Sequence, residues 1–231
     1  MTEYVVINRK KFKVKRGRLK INYKMIHDIT EIKGLKDLKF IKTVNLDSNL
    51  YITEIKHLEN LKDLTALYLS KNNISEIKGL DTLTELKFLD LSNNNISEIK
   101  GLNNLENLEE LNLSGNKIMA LKGLGNLNKL KKLNIGKNKI SHKIINDLGG
   151  LNSKGWAKFP LNFVKYCKNQ IVEKRTEIEN KVKKKEEESI IKTCPFCGIV
   201  LEVKDLKENG IKCTNCGETI LKDEIVKSNL T

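Results

Sequence analysis

The sequence is poor in proline, in aromatic residues and in long apolar runs. Only 2 of its 231 residues are proline, which argues against a proline-rich linker or a disordered tail. Aromatic residues make up 5% of the chain and hydrophobic residues 39%, so aliphatic side chains must fill the core. No run of about 18 apolar residues occurs, and we therefore expect no membrane-spanning segment.

The N-terminal sequence MTEYVVINRKKFKVKRGR has no apolar segment followed by a small-residue cleavage site. It therefore does not resemble a signal peptide, and we expect a cytoplasmic protein. In that reducing compartment, cysteines in CxxC pairs are metal ligands more often than disulfide partners.

The net charge of +14 is distributed unevenly along the chain. Residues 1–28 carry nine basic and two acidic side chains, and residues 151–192 carry eleven basic and six acidic ones. Residues 29–150 have a net charge of +3, and residues 193–231 have a net charge of −1. Residues 1–28 and 151–192 are therefore the segments that would contact nucleic acid or an acidic partner.

A segment with a fixed pattern recurs along the middle of the chain. Its leucines are spaced by 22 residues, at Leu67, Leu89, Leu111 and Leu133. Asparagines follow with the same spacing, at Asn72, Asn94, Asn116 and Asn138. An earlier copy over 44–61 has one extra residue after Asn49, and a degenerate first copy begins at Leu19. This self-similarity predicts a repeat architecture.

Each repeat predicts one coil of a solenoid. Its LxL segment suits a short strand with inward-facing leucines, and the apolar residues that follow recur every three residues, as in a 3₁₀ or short helical return. Because no coil can bury its leucines alone, the coils must stack and align their strands in a parallel sheet. The asparagines fall where the chain leaves each strand, and we expect them to hydrogen-bond the turn backbone of neighbouring coils.

The pattern LxxLxxLxLxxNxIxxIxGL, over roughly residues 19–150, resembles the leucine-rich repeat family. It is most similar to the short 22-residue class, which includes a regulatory subunit of type 1 protein phosphatase. The resemblance implies an α/β solenoid with a curved parallel sheet and 3₁₀ or short-helix returns. It also implies a protein-binding scaffold without catalysis, and it names no partner.

The repeat pattern is lost at both ends of the repeat region, which predicts further segments there. The segments are a capping hairpin at 1–18, the repeats at 19–142, a C-terminal cap at 143–163, a charged linker helix at 164–192 and a zinc ribbon at 193–231. A solenoid needs such caps because its terminal coils would otherwise expose their leucines.

Basic and apolar residues alternate in the predicted N-terminal hairpin. Lys11, Lys13 and Lys15 flank Phe12 and Val14, and a turn is predicted at 16–18. One interpretation is that the lysines prevent a sheet edge from pairing with another chain. The alternative is a basic patch for nucleic acid or an acidic partner.

The predicted C-terminal cap carries the single tryptophan, Trp156, together with Phe159, Pro160 and Phe163. Aromatic residues concentrated just after the last coil suit a lid over its leucines. Cys167 lies nearby without a CxxC partner, and we expect it to be a small buried apolar residue. The glycine-free and proline-free segment that follows contains Glu and Lys at i,i+4 spacing, which predicts a solvated helix acting as a spacer.

Four cysteines form two CxxC pairs, Cys194 with Cys197 and Cys213 with Cys216. Thiolate pairs at this spacing can close a tetrahedral Zn²⁺ site, and four cysteine ligands leave no open coordination position. Two knuckles joined by a hairpin around an Asn-Gly turn at 209–210 resemble the zinc ribbon family. We therefore predict one structural Zn²⁺, with a redox dithiol or two disulfides as the alternatives.

The predicted ribbon is a poor candidate for binding nucleic acid. Its side chains sum to −1, and four thiolates around one Zn²⁺ add about −2. Affinity for nucleic acid comes largely from neutralising phosphates, so we expect the ribbon to be purely structural or to contact protein.

Strand residues that flank the inward leucines would face the concave side of the solenoid. Tyrosine and other rigid aromatics often anchor interfaces, and the only aromatics on this face are Tyr68 and Phe88. The predicted partner-binding residues are Tyr68, Phe88, Asp90, Glu110 and Asn112. The alternative is that these positions are merely solvated.

The sequence offers no arrangement that predicts an enzyme. His27, His57 and His142 are scattered, and no glycine-rich phosphate loop is present. We therefore interpret the chain as a monomeric protein–protein interaction adaptor with a structural zinc ribbon. The alternative is a nucleic-acid-associated factor that uses the basic hairpin and the linker helix.

Overall fold

The computed structural model describes residues 3–189, 192–193, 200–201, 211–213 and 215–220. The chain forms two compact units, Met1–Val172 and Glu173–Thr231. None of the helices in the described ranges is both long and apolar enough to span a membrane.

The first unit begins with an antiparallel hairpin of β1 (Tyr4–Ile7) and β2 (Lys10–Lys13). Its turn is at Asn8 and Arg9, which both have positive φ, as a two-residue type I′ hairpin requires. The hairpin lies on the first coil, where Val6 and Lys33 exchange two backbone hydrogen bonds of 2.9 Å. The turn predicted at 16–18 exists, but it joins β2 to the next strand instead of closing the hairpin.

Six short strands form one parallel sheet in sequence order. They are β3 (Arg18–Lys20), β4 (Thr43–Asn45), β5 (Ala66–Tyr68), β6 (Phe88–Asp90), β7 (Glu110–Asn112) and β8 (Lys132–Asn134). The central residues are in register and buried, at Leu19, Val44, Leu67, Leu89, Leu111 and Leu133. The repeat spacing therefore predicted the strands and their register correctly.

The returns from one strand to the next differ between the first coil and the later ones. The first coil has two 3₁₀ helices, Ile29–Glu31 and Leu35–Asp37. In later coils the same three-residue spacing produces isolated turns, such as Leu83 N to Leu80 O and Leu86 N to Leu83 O, both 3.0 Å. Each turn places another leucine in the core, so burial is maintained without a continuous helix.

The asparagine column links each coil to its neighbour. Asn94 donates from Nδ2 to the carbonyls of Leu69 (2.9 Å) and Leu91 (3.0 Å), and its Oδ1 accepts from Ile74 N at 3.0 Å. Asn72 and Asn116 donate in the same way to a carbonyl of their own coil and to one of the preceding coil. The predicted structural role of these asparagines is confirmed, because their side chains replace backbone partners that the turns lack.

The C-terminal end of the sheet is covered by backbone and by the start of a helix. After α1 (His142–Asp147), the chain returns beside β8, where Ala157 N donates to Leu133 O at 2.8 Å. Helix α2 (Pro160–Ser189) then begins four residues before the predicted linker helix, with proline at its first position. The division between the two units falls within α2.

The predicted aromatic lid is only partly correct. Phe163 is fully buried, but Trp156 is half-buried and Phe159 is 58% exposed. The first two turns of α2 complete the cover with Val164 and Cys167, both buried in the core. Cys167 is thus a buried apolar residue, as expected, and burial raises the pKa of its thiol, against a smaller opposing effect of a hydrogen bond with the Leu124 backbone.

Within the described residues of the second unit, two short antiparallel strand pairs are present. They are β9 (Lys192–Thr193) with β10 (Val200–Leu201), and β11 (Ile211–Lys212) with β12 (Thr219–Ile220). The hairpin turn predicted at 209–210 lies outside the described residues.

Candidate functional site

The strands β3 to β8 present a second face, opposite to the leucines, that we call the open face. Its side chains form two columns along the sheet. One column is Arg18, Thr43, Ala66, Phe88, Glu110 and Lys132, and the other is Lys20, Asn45, Tyr68, Asp90, Asn112 and Asn134. The five predicted partner-binding residues therefore lie on three adjacent strands of one face.

Two of the five predicted residues have a structural role at the end of their strands. Asp90 Oδ1 accepts from Ser92 N at 2.9 Å, and Asn112 Oδ1 accepts from Ser114 N at 3.2 Å. Such Asx turns hold the backbone where it leaves the strand. Asp90 and Asn112 therefore hold the turns in addition to any contact they make with a partner.

Tyr68 and the terminal Lys20 are the two members of this column that are neither asparagine nor aspartate. Asn45, Asp90, Asn112 and Asn134 each accept from the N–H two residues further along, but tyrosine cannot form this turn. The N–H and the hydroxyl of the following serine instead donate to Asp47 Oδ1 of the preceding coil, at 2.7 and 2.9 Å. The fold thus accommodates Tyr68 by moving the acceptor to another residue.

Tyr68 and Phe88 are diagonal neighbours on adjacent strands. Phe88 is 40% exposed and Tyr68 is half-buried. Both line a depression of about 470 Å³ whose floor includes the small, buried Ala66. An exposed aromatic pair beside a depression is a suitable anchor for a partner's side chain.

The acidic residues of the open face lie toward its C-terminal half. Glu110 Oε2 is 3.0 Å from Lys132 Nζ, across adjacent strands. The neighbouring Glu109 pairs with Lys131 at 2.6 Å, and the hydrogen bond from that lysine lowers the pKa of Glu109, against a smaller effect of burial. At this end of the sheet the charges of Glu110 and Lys132 therefore largely cancel.

Sequence reasoning missed Arg18 and Lys20 as members of the open face. The turn predicted at 16–18 includes Arg18, so it hides the first strand of the sheet. The signal was present in the sequence: Leu19 and Ile21 occupy the positions that Val44 and Leu46 take one coil later. That alignment places Arg18 and Lys20 opposite the residues at 43 and 45.

Residues 62–104 and 106–153 match the family model described as Leucine Rich repeats (2 copies). The chain contains leucine-rich repeats. Together with the parallel sheet and its buried leucines, this match identifies the repeat region as a leucine-rich repeat solenoid. Leucine-rich repeat domains typically mediate protein–protein interactions and are usually not catalytic.

Three solved structures to which the chain is similar are internalins from Listeria monocytogenes. Internalin InlF is 32% identical with a TM-score of 0.50, and the match covers 58% of this chain and 39% of InlF. Internalin C2 is 28% identical (TM-score 0.45; 54% and 63% covered), and the functional domain of InlJ is 29% identical (TM-score 0.39; 44% and 21% covered). The chain thus spans less than two thirds of each of them.

No curated protein matches the chain. The finer resemblance to the phosphatase-regulatory class of repeats therefore stays a prediction. The solenoid itself rests on the repeat match, on the likeness to InlF and on the described sheet.

Of the four predicted zinc ligands, Cys194 and Cys197 lie outside the described residues. The segment around Cys213 and Cys216 forms a tight turn in which Cys213 N donates to Glu218 O at 2.8 Å and Gly217 N donates to Cys213 O at 2.9 Å. Gly217 has a φ of +79°, which favours glycine. Gly217 therefore permits the backbone turn that contains Cys213 and Cys216.

The two CxxC pairs are flanked by strand pairs of matching register. Thr193 pairs with Val200, and Lys212 pairs with Thr219. Each pair encloses a six-residue segment with cysteine at its first and fourth positions and glycine at its fifth. In the sequence, the two CxxC pairs therefore occupy equivalent positions between paired strands. Since two of the four cysteines lie outside the described residues, the metal itself stays a prediction.

Proposed function

We propose that the chain is a protein–protein interaction adaptor whose open face binds a protein partner, with Tyr68 and Phe88 as the central contacts. The observation that carries this proposal is the break in the asparagine and aspartate column at Tyr68. An Asx residue there would close its own turn, as its column neighbours do, whereas tyrosine requires Asp47 as a substitute acceptor. An aromatic side chain that the fold must accommodate in this way is best explained by a contact with a partner.

Phe88 supports the same interpretation. It is 40% exposed, and it lies beside Tyr68 at the edge of the depression over Ala66. Leucine-rich repeat domains typically bind proteins, and an aromatic pair of this kind is typical of an interface centre. Asp90, Glu110 and Asn112 would form the polar rim on the adjoining strands.

The test is affinity capture from a lysate of the source cells with the full chain. The variant Tyr68→Ala, Phe88→Ala should lose about tenfold or more of the captured partner, since central aromatic anchors are worth about 2 kcal/mol or more each. Tyr23→Ala, Phe40→Ala is the matched control, because both residues are exposed aromatics outside the open face. Equal capture by wild type and by the open-face variant would contradict the proposal.

We also propose that Cys194, Cys197, Cys213 and Cys216 bind one structural Zn²⁺ in the second unit. Thiolates must stay reduced to bind the metal, so the proposal includes a cytoplasmic location. Because one chain supplies all four ligands, the proposed site needs no second chain, and the proposal includes a monomeric protein. Native mass spectrometry should show one Zn²⁺ per chain, lost in Cys213→Ser and retained in Cys167→Ala. Retention of the metal in Cys213→Ser would contradict the assignment.

A further inference from the structure

Five basic side chains surround a depression at the N-terminal end of the open face. Its volume is about 770 Å³, and the residues that line it are Lys13, Lys15, Arg16, Arg18 and Lys20. All five are exposed. We call this group the cationic end.

The backbone holds the cationic end in a defined position. Lys15 and Arg18 exchange two backbone hydrogen bonds of 3.0 Å, and Arg16 and Gly17 between them have φ values of +52° and +69°, which form a type I′ turn. Gly17 O accepts from Lys42 N at 2.8 Å, which fastens the turn to the next coil. The basic side chains therefore extend from a rigid support that does not have to be ordered on binding.

Some lysines of the later coils have acidic partners. Lys78, Lys122 and Lys131 form ion pairs with glutamates of the preceding coil, at distances of 2.6 to 3.2 Å. None of the five side chains of the cationic end forms an ion pair, a hydrogen bond or a ring contact with any residue that the structure describes. Five uncompensated positive charges in one depression create a strong local potential for an anion.

The cationic end continues directly into the aromatic pair. Arg18 and Lys20 line both the 770 Å³ depression and the 470 Å³ depression that contains Tyr68 and Phe88. The side chains between them are small or neutral, at Thr43, Asn45 and Ala66. One ligand can therefore place negative charge among the basic residues and an apolar group on the aromatic rings.

The charge pattern of the whole face favours a short acidic stretch over a long nucleic acid strand. Asp90 lies three strands from Lys20, about 14 Å away at about 4.8 Å per strand spacing, and Glu110 lies one strand further. A phosphate chain that crossed the sheet would meet the Asp90 carboxylate. An extended peptide covers the same 14 Å with about four residues, at about 3.3 Å each, and can change from acidic to apolar along its length.

We propose that the cationic end binds an acidic segment of the protein partner, an inference that rests on the proposed function of the open face. The segment carries two or three carboxylates that pair with Arg18, Lys20 and their neighbours. An apolar side chain follows and packs on Tyr68 and Phe88.

The test measures fluorescence anisotropy of labelled peptides with the full chain. The probe is the hexapeptide Glu-Glu-Glu-Gly-Phe-Leu, and its matched control has glutamine in place of each glutamate. The variant Arg18→Gln, Lys20→Gln should weaken probe binding about tenfold or more, because two charge-assisted contacts are lost. Lys117→Gln, Lys139→Gln removes the same charge from exposed positions off the open face and should change affinity less than about twofold.

Several results would overturn the inference. They are failure of the glutamate probe to bind, equal binding of the glutamine peptide, and equal weakening by the two double variants. Tighter binding of a labelled hexathymidylate that depends on Arg18 and Lys20 would assign the cationic end to nucleic acid instead. Self-association of Arg18→Gln, Lys20→Gln in light scattering, with unchanged probe binding, would assign the charges to edge protection.

The peptide experiment and the lysate capture fail independently. If the probe fails while Tyr68→Ala, Phe88→Ala still abolishes partner capture, the acidic-segment inference is wrong and the proposed function stands. If the probe binds through Arg18 and Lys20 but capture does not depend on Tyr68 and Phe88, the proposed function is wrong.

Discussion

Strands β3 to β8 place leucine or valine in the core at every coil, whereas the side chains on their open face differ from coil to coil. On the core side, Leu67, Leu89 and Leu111 are equivalent residues with equivalent neighbours. On the open face, the position occupied by Phe88 holds Ala66 one strand earlier and Glu110 one strand later. The core side is therefore constrained by stacking, which is the same for every coil, and the open face is not.

Tyr68 lies on the open face, in a column whose asparagine and aspartate residues also help to hold the solenoid together. Its column has a structural task, the Asx turn, that four other members perform. Asp47 performs that task for the strand of Tyr68, which leaves the tyrosine side chain available for binding. The comparison thus separates residues whose side chains form structural hydrogen bonds from residues, such as Tyr68, whose side chains are available for binding.

The largest effect is expected at the buried asparagine column. Asn94→Ala removes four hydrogen bonds and leaves Ile74 N–H without an acceptor, so it should lower the free energy of unfolding by about 3 kcal/mol. The carbonyls of Leu69 and Leu91 keep one donor each, from Asn72 and Asn116. Asn103→Ala, at an exposed return, should cost less than about 0.5 kcal/mol. Urea unfolding followed by circular dichroism measures both. Similar losses in the two variants would remove the distinction between the inner column and the surface.

A smaller effect is expected at the contact between Asp47 and the turn after Tyr68. Asp47→Ala should cost about 2 kcal/mol, because Ser70 N–H and its hydroxyl lose their acceptor. Adding Tyr68→Asn should restore about 1 kcal/mol, since an asparagine there can accept from Ser70 N–H as its column neighbours do.

The same pair of substitutions separates stability from binding. Tyr68→Asn alone should leave the unfolding free energy within about 0.5 kcal/mol of wild type and still weaken partner capture. If Tyr68→Asn does not restore stability in the Asp47→Ala background, Asp47 is not the substitute acceptor. The double-mutant cycle would then show additive losses.

A pH-dependent effect is expected in the first coil. Burial alone would raise the pKa of Asp28, but hydrogen bonds from Lys56 Nζ and from Thr30 N–H outweigh it and lower the pKa to about 2 from its ordinary 3.8. Because the pKa of Asp28 is lower in the folded state, its ionised carboxylate stabilises the fold above about pH 4. This stabilisation is lost as the pH falls toward 2. Because the Asp28 side chain is 35% exposed, we expect its charge to contribute only about 1 kcal/mol to the free energy of unfolding.

Asp28→Asn tests this contribution, because asparagine can still cap the 3₁₀ helix but cannot pair with Lys56. Denaturation at pH 6 and at pH 3 should show a stability difference between wild type and variant that shrinks at the lower pH. A difference that stays constant over this range would show that the carboxylate charge does not matter.

The smallest effect is expected for the exposed ion pairs between coils. Lys100 and Glu76 are 3.6 Å apart and about half exposed, so Lys100→Gln should change the unfolding free energy by less than about 0.5 kcal/mol. Thermal unfolding at low and high salt measures the effect. A loss as large as that of Asn94→Ala would mean that surface charges hold the coils together.

The periodic part of the fold was predictable because the same spacing of apolar residues recurs in each repeat. The spacing of Leu67, Leu89 and Leu111 predicted the strands, and the asparagine column predicted the bonds between coils. Predictions failed at the ends, where no period applies. The hairpin turn lies at Asn8 and Arg9, and the aromatic lid is only partly formed, because local alternation does not determine which segment covers which coil.

The candidate site was predictable in part for the same reason. The register placed Tyr68 and Phe88 on one face, but it did not reveal Arg18 and Lys20, because the predicted turn at 16–18 overlaps the start of their strand. The Asp47 contact also could not be predicted, since it joins residues 23 positions apart through a side chain whose direction the repeat does not specify.

Sequence alone determined the coil length, the buried leucines and the asparagine ladder, because these properties repeat and each copy can be compared with the next. Only the tertiary structure decided that the N-terminal cations adjoin the aromatic pair, and that Asp47 performs the turn function which Tyr68 cannot. Those neighbours come from different coils, and stacking brings them together regardless of their distance along the chain.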